Sequence, residues 1–307
     1  MLFGTVLVAL LTLCDASAVV IDDSGGGQRG RGPLLEHDDL SGGFCEECKE
    51  VELESLSLSS VKRLYNKHYV ALRYIRERMK NRVNGERDFQ PQFDDTEAEI
   101  IALLILETKP RNIYEFSPCA GYSTGVLLDS LSLINSGDAH VRSFDIHNTS
   151  YVNWIEEGVP QNVHWHFHLG DVRDQYSQWP LGDIDMLFID SDHRAGFAQT
   201  YINDLLVPLI SHVRDSRKKV VVSVHDVWHC LENGGWEFGC PSDEGNLVLA
   251  FLQEYGIDYF TAGWSRGSYP ALVEEKRRLG LDEILSQSWG INQLEYQVNS
   301  AIFFILH

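Results

Sequence analysis

Between Asn112 and Asp190 the chain repeats one pattern, a short apolar run that closes on or beside a carboxylate and then turns into a polar or helical stretch. Asn112 to Phe116 suits a buried parallel strand, because strands covered on both faces read as near-continuous apolar runs. Glu115 stands where that strand opens into a turn, at the sheet edge where ligands collect. Gly121 lets the turn backbone approach a ligand, and Ser123 or Thr124 can cap a helix continuing through Leu131. Asp145 then closes a second strand, at the place where such units hold ribose hydroxyls. VHWHFHLGDV ends on Asp171 and DIDMLFID on Asp190. Strands are expected near 112–117, 140–146, 162–169, 184–190, 219–226, 257–263 and 296–306, with helices between most of them. Helical spacings over Ser59–Lys80 and Asp95–Glu107 add two N-terminal helices. This alternation predicts an α/β fold with a doubly wound, mostly parallel sheet.

The first turn departs from the dinucleotide fingerprint. A pyrophosphate needs GxGxxG and a bare helix N-terminus, whereas the turn reads ExSxxxGxS from Glu115 through Ser117 and Gly121 to Ser123. An acid there suits a ligand that carries an amino group and no phosphate. The pattern resembles motif I of the class I S-adenosylmethionine-dependent methyltransferases, ExGxxxGxS, with Ser117 in place of the first glycine. FIDSDHRAGFAQTYINDLLVPL resembles the FIDGDHxYxxxxxDL segment of a subfamily that includes small-molecule and sugar O-methyltransferases. VVVSVHDVW resembles the HDV strand that follows it, and the likeness runs from about Asp95 to His307.

The resemblance implies a seven-stranded Rossmann-like sheet whose last strand, YQVNSAIFFILH, is antiparallel. It implies S-adenosyl-L-methionine held by Glu115, Ser117, Gly121, Ser123, Asp145, Asp171 and Asp190, with Asp171 at the adenine end. In metal-dependent members the end of the fourth strand and a pair on the fifth ligate Mg²⁺. The matching positions are Asp190, His225 and Asp226, and the imidazole suits Mn²⁺, Fe²⁺ or Zn²⁺ better. Alternatively Asp190 holds the cofactor while His225 and Asp226 hydrogen-bond to each other. His193 is the preferred general base and His225 the second choice, since an imidazole accepts a proton near neutral pH. Trp228, Trp236, Trp264 and Tyr269 form an acceptor wall or else belong to the core. The activity so implied is O-methylation of a small molecule or carbohydrate. A non-catalytic binding or structural module on the same fold is opposed by the survival of all four acids, Glu115, Asp145, Asp171 and Asp190.

A formal net charge of −20 argues against a nucleic-acid partner, whose phosphates need Lys and Arg. Leu2 to Leu13 is too short for an ordinary membrane span and is followed by Ala16-Ser17-Ala18, so residues 1–18 read as a secretory signal, with an uncleaved anchor as the alternative. Residues 19–56 read as a flexible acidic, Gly-rich tail, 57–108 as cap helices and 109–307 as the catalytic domain. An oxidising lumen would favour the pairs Cys45–Cys48 and Cys230–Cys240, and Asn148-Thr149-Ser150 is a glycosylation acceptor triplet.

Overall fold

The structure is a computed structural model that describes residues 53–85, 95–134, 138–148, 155–156, 158–232, 235–238, 240–262, 268–281 and 301–307. The expected signal segment, Cys45, Cys48, Thr149, Ser150 and Trp264 lie outside these residues, as do the side chains of Cys230 and Trp236. All the described residues fall in one compact unit, Gly43–His307.

Two long helices come first, α1 (Leu58–Gly85) and α2 (Asp95–Thr108). Then β1 (Asn112–Phe116), α3 (Tyr122–Ser132), β2 (Ala139–Asp145), β3 (Val163–Leu169) and β4 (Met186–Ile189) follow. Next are α4 (Ala195–Tyr201), α5 (Val207–Ser216), β5 (Val220–Val224), the strands β6 (His229–Glu232) and β7 (Gly235–Phe238), and α6 (Asp243–Tyr255). β8 (Tyr259–Thr261), α7 (Ser268–Arg278) and β9 (Ile302–Leu306) complete the chain. Seven strands form one sheet in the order β3-β2-β1-β4-β5-β9-β8. β1 to β5 pair in parallel and β9 pairs antiparallel with both β5 and β8, as the resemblance implies.

Strand alternation divides the core into two layers. Ile113, Val141, Met186, Phe188 and Phe303 pack under α1, α2, α3 and α7. Tyr114, Phe116, Leu187, Val222 and Phe304 pack under α4, α5 and α6. The chain leaves β1 toward β2 on one side and returns to β4 on the other, so the crevice beyond the carboxyl ends of β1 and β4 is the topological switch point where ligands bind in such sheets.

Three local features depart from expectation. The N-cap of α3 is Gly121, with no side-chain cap, and the hydroxyls of Ser123 and Thr124 turn inward instead. The hairpin β6–β7 sits in what reads as a loop. A π-helical turn, Ile202–Leu206, joins α4 to α5. α2 is buried on nearly every side, including the polar residues Asp95, Thr96, Glu97 and Glu99 of its opening turns. Glu99 is held there by the Tyr65 hydroxyl (2.8 Å) and the Lys276 ammonium (2.9 Å). Trp228 and Tyr269 belong to the core.

Candidate active site

The turn after β1 carries the backbone strain expected of a ligand site. Ser117 (φ 55°), Cys119 (φ 42°) and Gly121 (φ 79°) all lie in the left-handed region. Gly121 adopts it freely, whereas each residue with a Cβ costs roughly 1–2 kcal/mol there. Neighbouring structure holds the strained residues. The Ser117 N–H donates to the Phe144 carbonyl at 2.8 Å, and the Cys119 N–H donates to the Asp145 carboxylate. Cys119 is also disulfide-bonded, as is Cys240, so the expected pairing that left Cys119 out is corrected.

Glu115 lies beneath this turn and is fully buried. Its oxygens accept from Ser123 Oγ at 2.6 Å, Thr124 Oγ1 at 2.8 Å and Ser143 Oγ, and Ser143 in turn accepts from the Trp165 indole at 2.9 Å. Glu115 and Ser123 therefore brace the turn from the sheet side. Burial pushes the Glu115 carboxyl up to about 7, against the lowering effect of the hydroxyls. A carboxyl raised in this way adds stability that is complete below its ordinary value of 4.5 and is lost as pH rises through about 7. The stability of the parent relative to Glu115→Gln should accordingly fall by on the order of 3 kcal/mol across that interval. Denaturant unfolding at a series of pH values measures it, and a constant difference would count against a protonated buried acid.

Asp145 closes β2 and is nearly buried, which raises its pKa. One carboxylate oxygen accepts the His147 N–H at 2.9 Å. Asp171 follows β3 and chelates the Arg173 guanidinium, whose Nε lies 3.0 Å from both its oxygens. That pairing holds the Asp171 carboxyl below its usual range.

Beyond the ends of β4 and β5 the fold brings Asp190, His193, His225 and Asp226 together. The register Ile189↔Val224 sets Asp190 beside His225, and the His225 N–H donates to the Ile189 carbonyl at 2.9 Å. His225 Nδ1 lies 3.4 Å from Asp190 Oδ1 and 3.2 Å from Asp226 Oδ1. Asp226 is held at φ 52°, a third strained residue with a Cβ at this sheet edge. His193 Nε2 lies 3.5 Å from Asp226 and 3.8 Å from Asp190.

Each imidazole is backed by a buried glutamate. Glu97 of α2 sits 3.2 Å from His225 Nε2, and its other oxygen accepts the Ala301 N–H at the start of β9. Glu244 in the first turn of α6 sits 2.9 Å from His193 Nδ1 and accepts the Tyr201 hydroxyl at 2.9 Å. α6 reaches this position because Ser242 caps it through the Gly245 N–H (2.9 Å) while its own N–H donates to the Val227 carbonyl (2.8 Å). Burial pulls both histidines down, but the surrounding carboxylates outweigh it. His193 rises to about 9, chiefly through Glu244, and His225 rises well above its usual value, chiefly through Asp226 and Asp190. Without a ligand the site therefore holds imidazolium at neutral pH. A cation among the carboxylates opposes that protonation.

Ligand atoms of Asp190, His225 and Asp226 lie within 4.8 Å of one another, which suits a divalent ion bound by oxygen and nitrogen. The strand order, with its inserted antiparallel last strand, is that of the class I methyltransferases. The chain carries a stretch, residues 118–227, that matches a family described as a methyltransferase domain. No curated protein matches the chain.

Solved structures similar to the domain include TomG, an O-methyltransferase from Streptomyces achromogenes involved in tomaymycin synthesis and bound to SAM. It is 17% identical with TM-score 0.41, over 77% of this chain and 88% of that one. An O-methyltransferase from Bacillus cereus in complex with SAH is 13% identical with TM-score 0.42, over 82% and 100%. SAH-bound PaMTH1 of Podospora anserina is 12% identical with TM-score 0.39, over 90% and 98%. Likenesses at this level add no argument to the domain match.

Two residues of this cluster escape a sequence reading, Glu97 and Glu244. The available signal for Glu97 is that α2 is apolar all round after its first turn, IIALLIL, so its opening acids must be covered too. Glu244 lies next to Gly245, and a Cβ at Gly245 would stand 2.2 Å from the Val227 carbonyl oxygen. A glycine in a helix is the mark of that close approach.

Proposed function

We propose that the protein transfers the methyl group of S-adenosylmethionine to an oxygen of a small molecule or carbohydrate, with a divalent ion, Mg²⁺ or Mn²⁺, at Asp190, His225 and Asp226. The convergence of these three side chains with His193 beside the switch point carries the reading. When bound, the ion would polarise an acceptor oxygen and lower its pKa. The chain's own residues supply position and a base. Glu97 holds His225 by Nε2 and so keeps Nδ1 turned to the two aspartates. Glu244 holds His193 by Nδ1, which turns Nε2 toward the same point, where it receives the acceptor's proton. Glu115, with Ser123, holds the form of the turn against which Ser117 and Gly121 would seat the cofactor. Asp145 would accept the ribose hydroxyls, and Asp171 would stand at the adenine end.

The cofactor assignment predicts that Asp145→Ala loses on the order of 1.5–3 kcal/mol in binding S-adenosylhomocysteine. Titration calorimetry reads this directly, and parent-like affinity would remove Asp145 from the site. We assign the protein to the secretory lumen on the apolar segment before Ala16-Ser17-Ala18 and on the disulfides at Cys119 and Cys240. Expression in a eukaryotic secretory host should yield a mature chain beginning near Val19. An intact mass that retains Met1 on a cytosolic product refutes this assignment.

A further inference from the structure

Methyl transfer leaves unused a second group of metal-ligating side chains. Of the twelve histidines, His140, His164, His166 and His168 stand on one face of the neighbouring strands β2 and β3, with β3 at the edge of the sheet. His140 faces His164 in register, and its ring stacks on those of His164 and His166 with centroids 4.9 and 5.4 Å apart. His164 and His166 are exposed and His140 is half-buried. His140 Nδ1 lies 3.1 Å from His166 Nε2, and His140 Nε2 lies 3.0 Å from Asp138 Oδ1.

That carboxylate places the His140 proton on Nε2, which leaves Nδ1 as a lone pair aimed at another imidazole nitrogen. Two nitrogens bound to one zinc ion at about 2.0–2.1 Å stand about 2.8–3.0 Å apart at a right angle and about 3.3–3.4 Å apart in tetrahedral geometry, and the observed 3.1 Å lies between the two, a few tenths of an ångström from either. A carboxylate on the far nitrogen is also the usual partner of a metal-bound histidine, fixing its tautomer and ring orientation. His164 stands opposite His140 in register on the same sheet face, with its ring stacked 4.9 Å from that of His140. The net charge of −20 favours cations over the whole surface.

We infer that His140 and His166 form a two-nitrogen surface site for a borderline divalent transition ion of the Zn²⁺ type, separate from the Asp190–His225–Asp226 cluster. The donor set is nitrogen only, so Mg²⁺ does not compete for it.

Zinc titration of the full chain in excess Mg²⁺, against a chromophoric indicator, tests the site. The double variant His140→Ala, His166→Ala should bind at least about 100-fold more weakly at one zinc equivalent, and an unchanged zinc isotherm overturns the assignment. A second measurement needs no change to the strands. Zn²⁺ should protect the peptides carrying His140 and His164 to His168 from diethyl pyrocarbonate, read by mass spectrometry. The protection should persist in Asp190→Asn, Asp226→Asn. Equal labelling with and without zinc leaves only a proton shared between two imidazoles and refutes the site, as does protection that disappears with the catalytic aspartates.

Discussion

Removal of divalent ions should lower methyl transfer by at least about 100-fold, the equivalent of about 2.7 kcal/mol of transition-state stabilisation, while S-adenosylhomocysteine binding stays within about twofold. Asp226→Asn should act in the same way. The cofactor turn and Asp145 lie at the ends of β1 and β2, whereas the ion would sit at the ends of β4 and β5, so the two losses are separable. The direction follows from charge. Asp190 and Asp226 help raise His193 to about 9, so at neutral pH the stripped site presents an imidazolium that cannot accept a proton. Activity in chelator should then recover only as the pH approaches 9. Undiminished turnover at neutral pH in excess chelator would end the metal reading and leave direct base catalysis by His193. Full activity of His193→Ala would end that version as well.

The second large effect is expected from one methyl group. A Cβ at Gly245 would stand 2.2 Å from the Val227 carbonyl oxygen and 2.9 Å from the Val227 side chain. The Val227 backbone cannot yield easily, because it continues the strained Asp226 and its carbonyl already accepts the Ser242 N–H. Gly245→Ala should therefore move the first turn of α6 and cost about 3 kcal/mol or more, toward the upper end of overpacking effects. Glu244 moves with that turn, so the hydrogen bond that orients His193 is lost and turnover falls alongside stability. Glu244→Gln separates the two consequences. It keeps the helix docked, so stability should change less than turnover. Denaturant midpoints and initial rates of the two variants decide the matter, and a Gly245→Ala protein with parental midpoint and rate would show that α6 is not fixed there.

Much of the frame is legible in the sequence because it is written in local periods. Each parallel strand of the sheet is a short run rich in apolar residues, and β1, β4 and β5 end beside the acids and the histidine that the site uses, Glu115, Asp190, His225 and Asp226. Even the order of these runs implies the crevice, since parallel strands joined through helices present the same end to one side. The antiparallel last strand came from resemblance rather than from periodicity, and β9 bears it out.

The sequence by itself thus determined which strands form and which carboxylates stand at their ends. Tertiary structure decided which of those groups act on one another. Ser123 and Thr124 have the chemistry of helix caps, yet they bond to Glu115 because β1 passes beneath the helix they begin. Glu97 reads as a first-turn acid beside the helix dipole, and only the packing of α2 over the sheet turns it onto a histidine 128 positions away. Glu244 likewise gains its meaning from α6 docking on Val227. The physical reason is that periodicity and capping are short-range preferences of one segment, whereas a buried charge is tolerated only where a partner from another segment meets it.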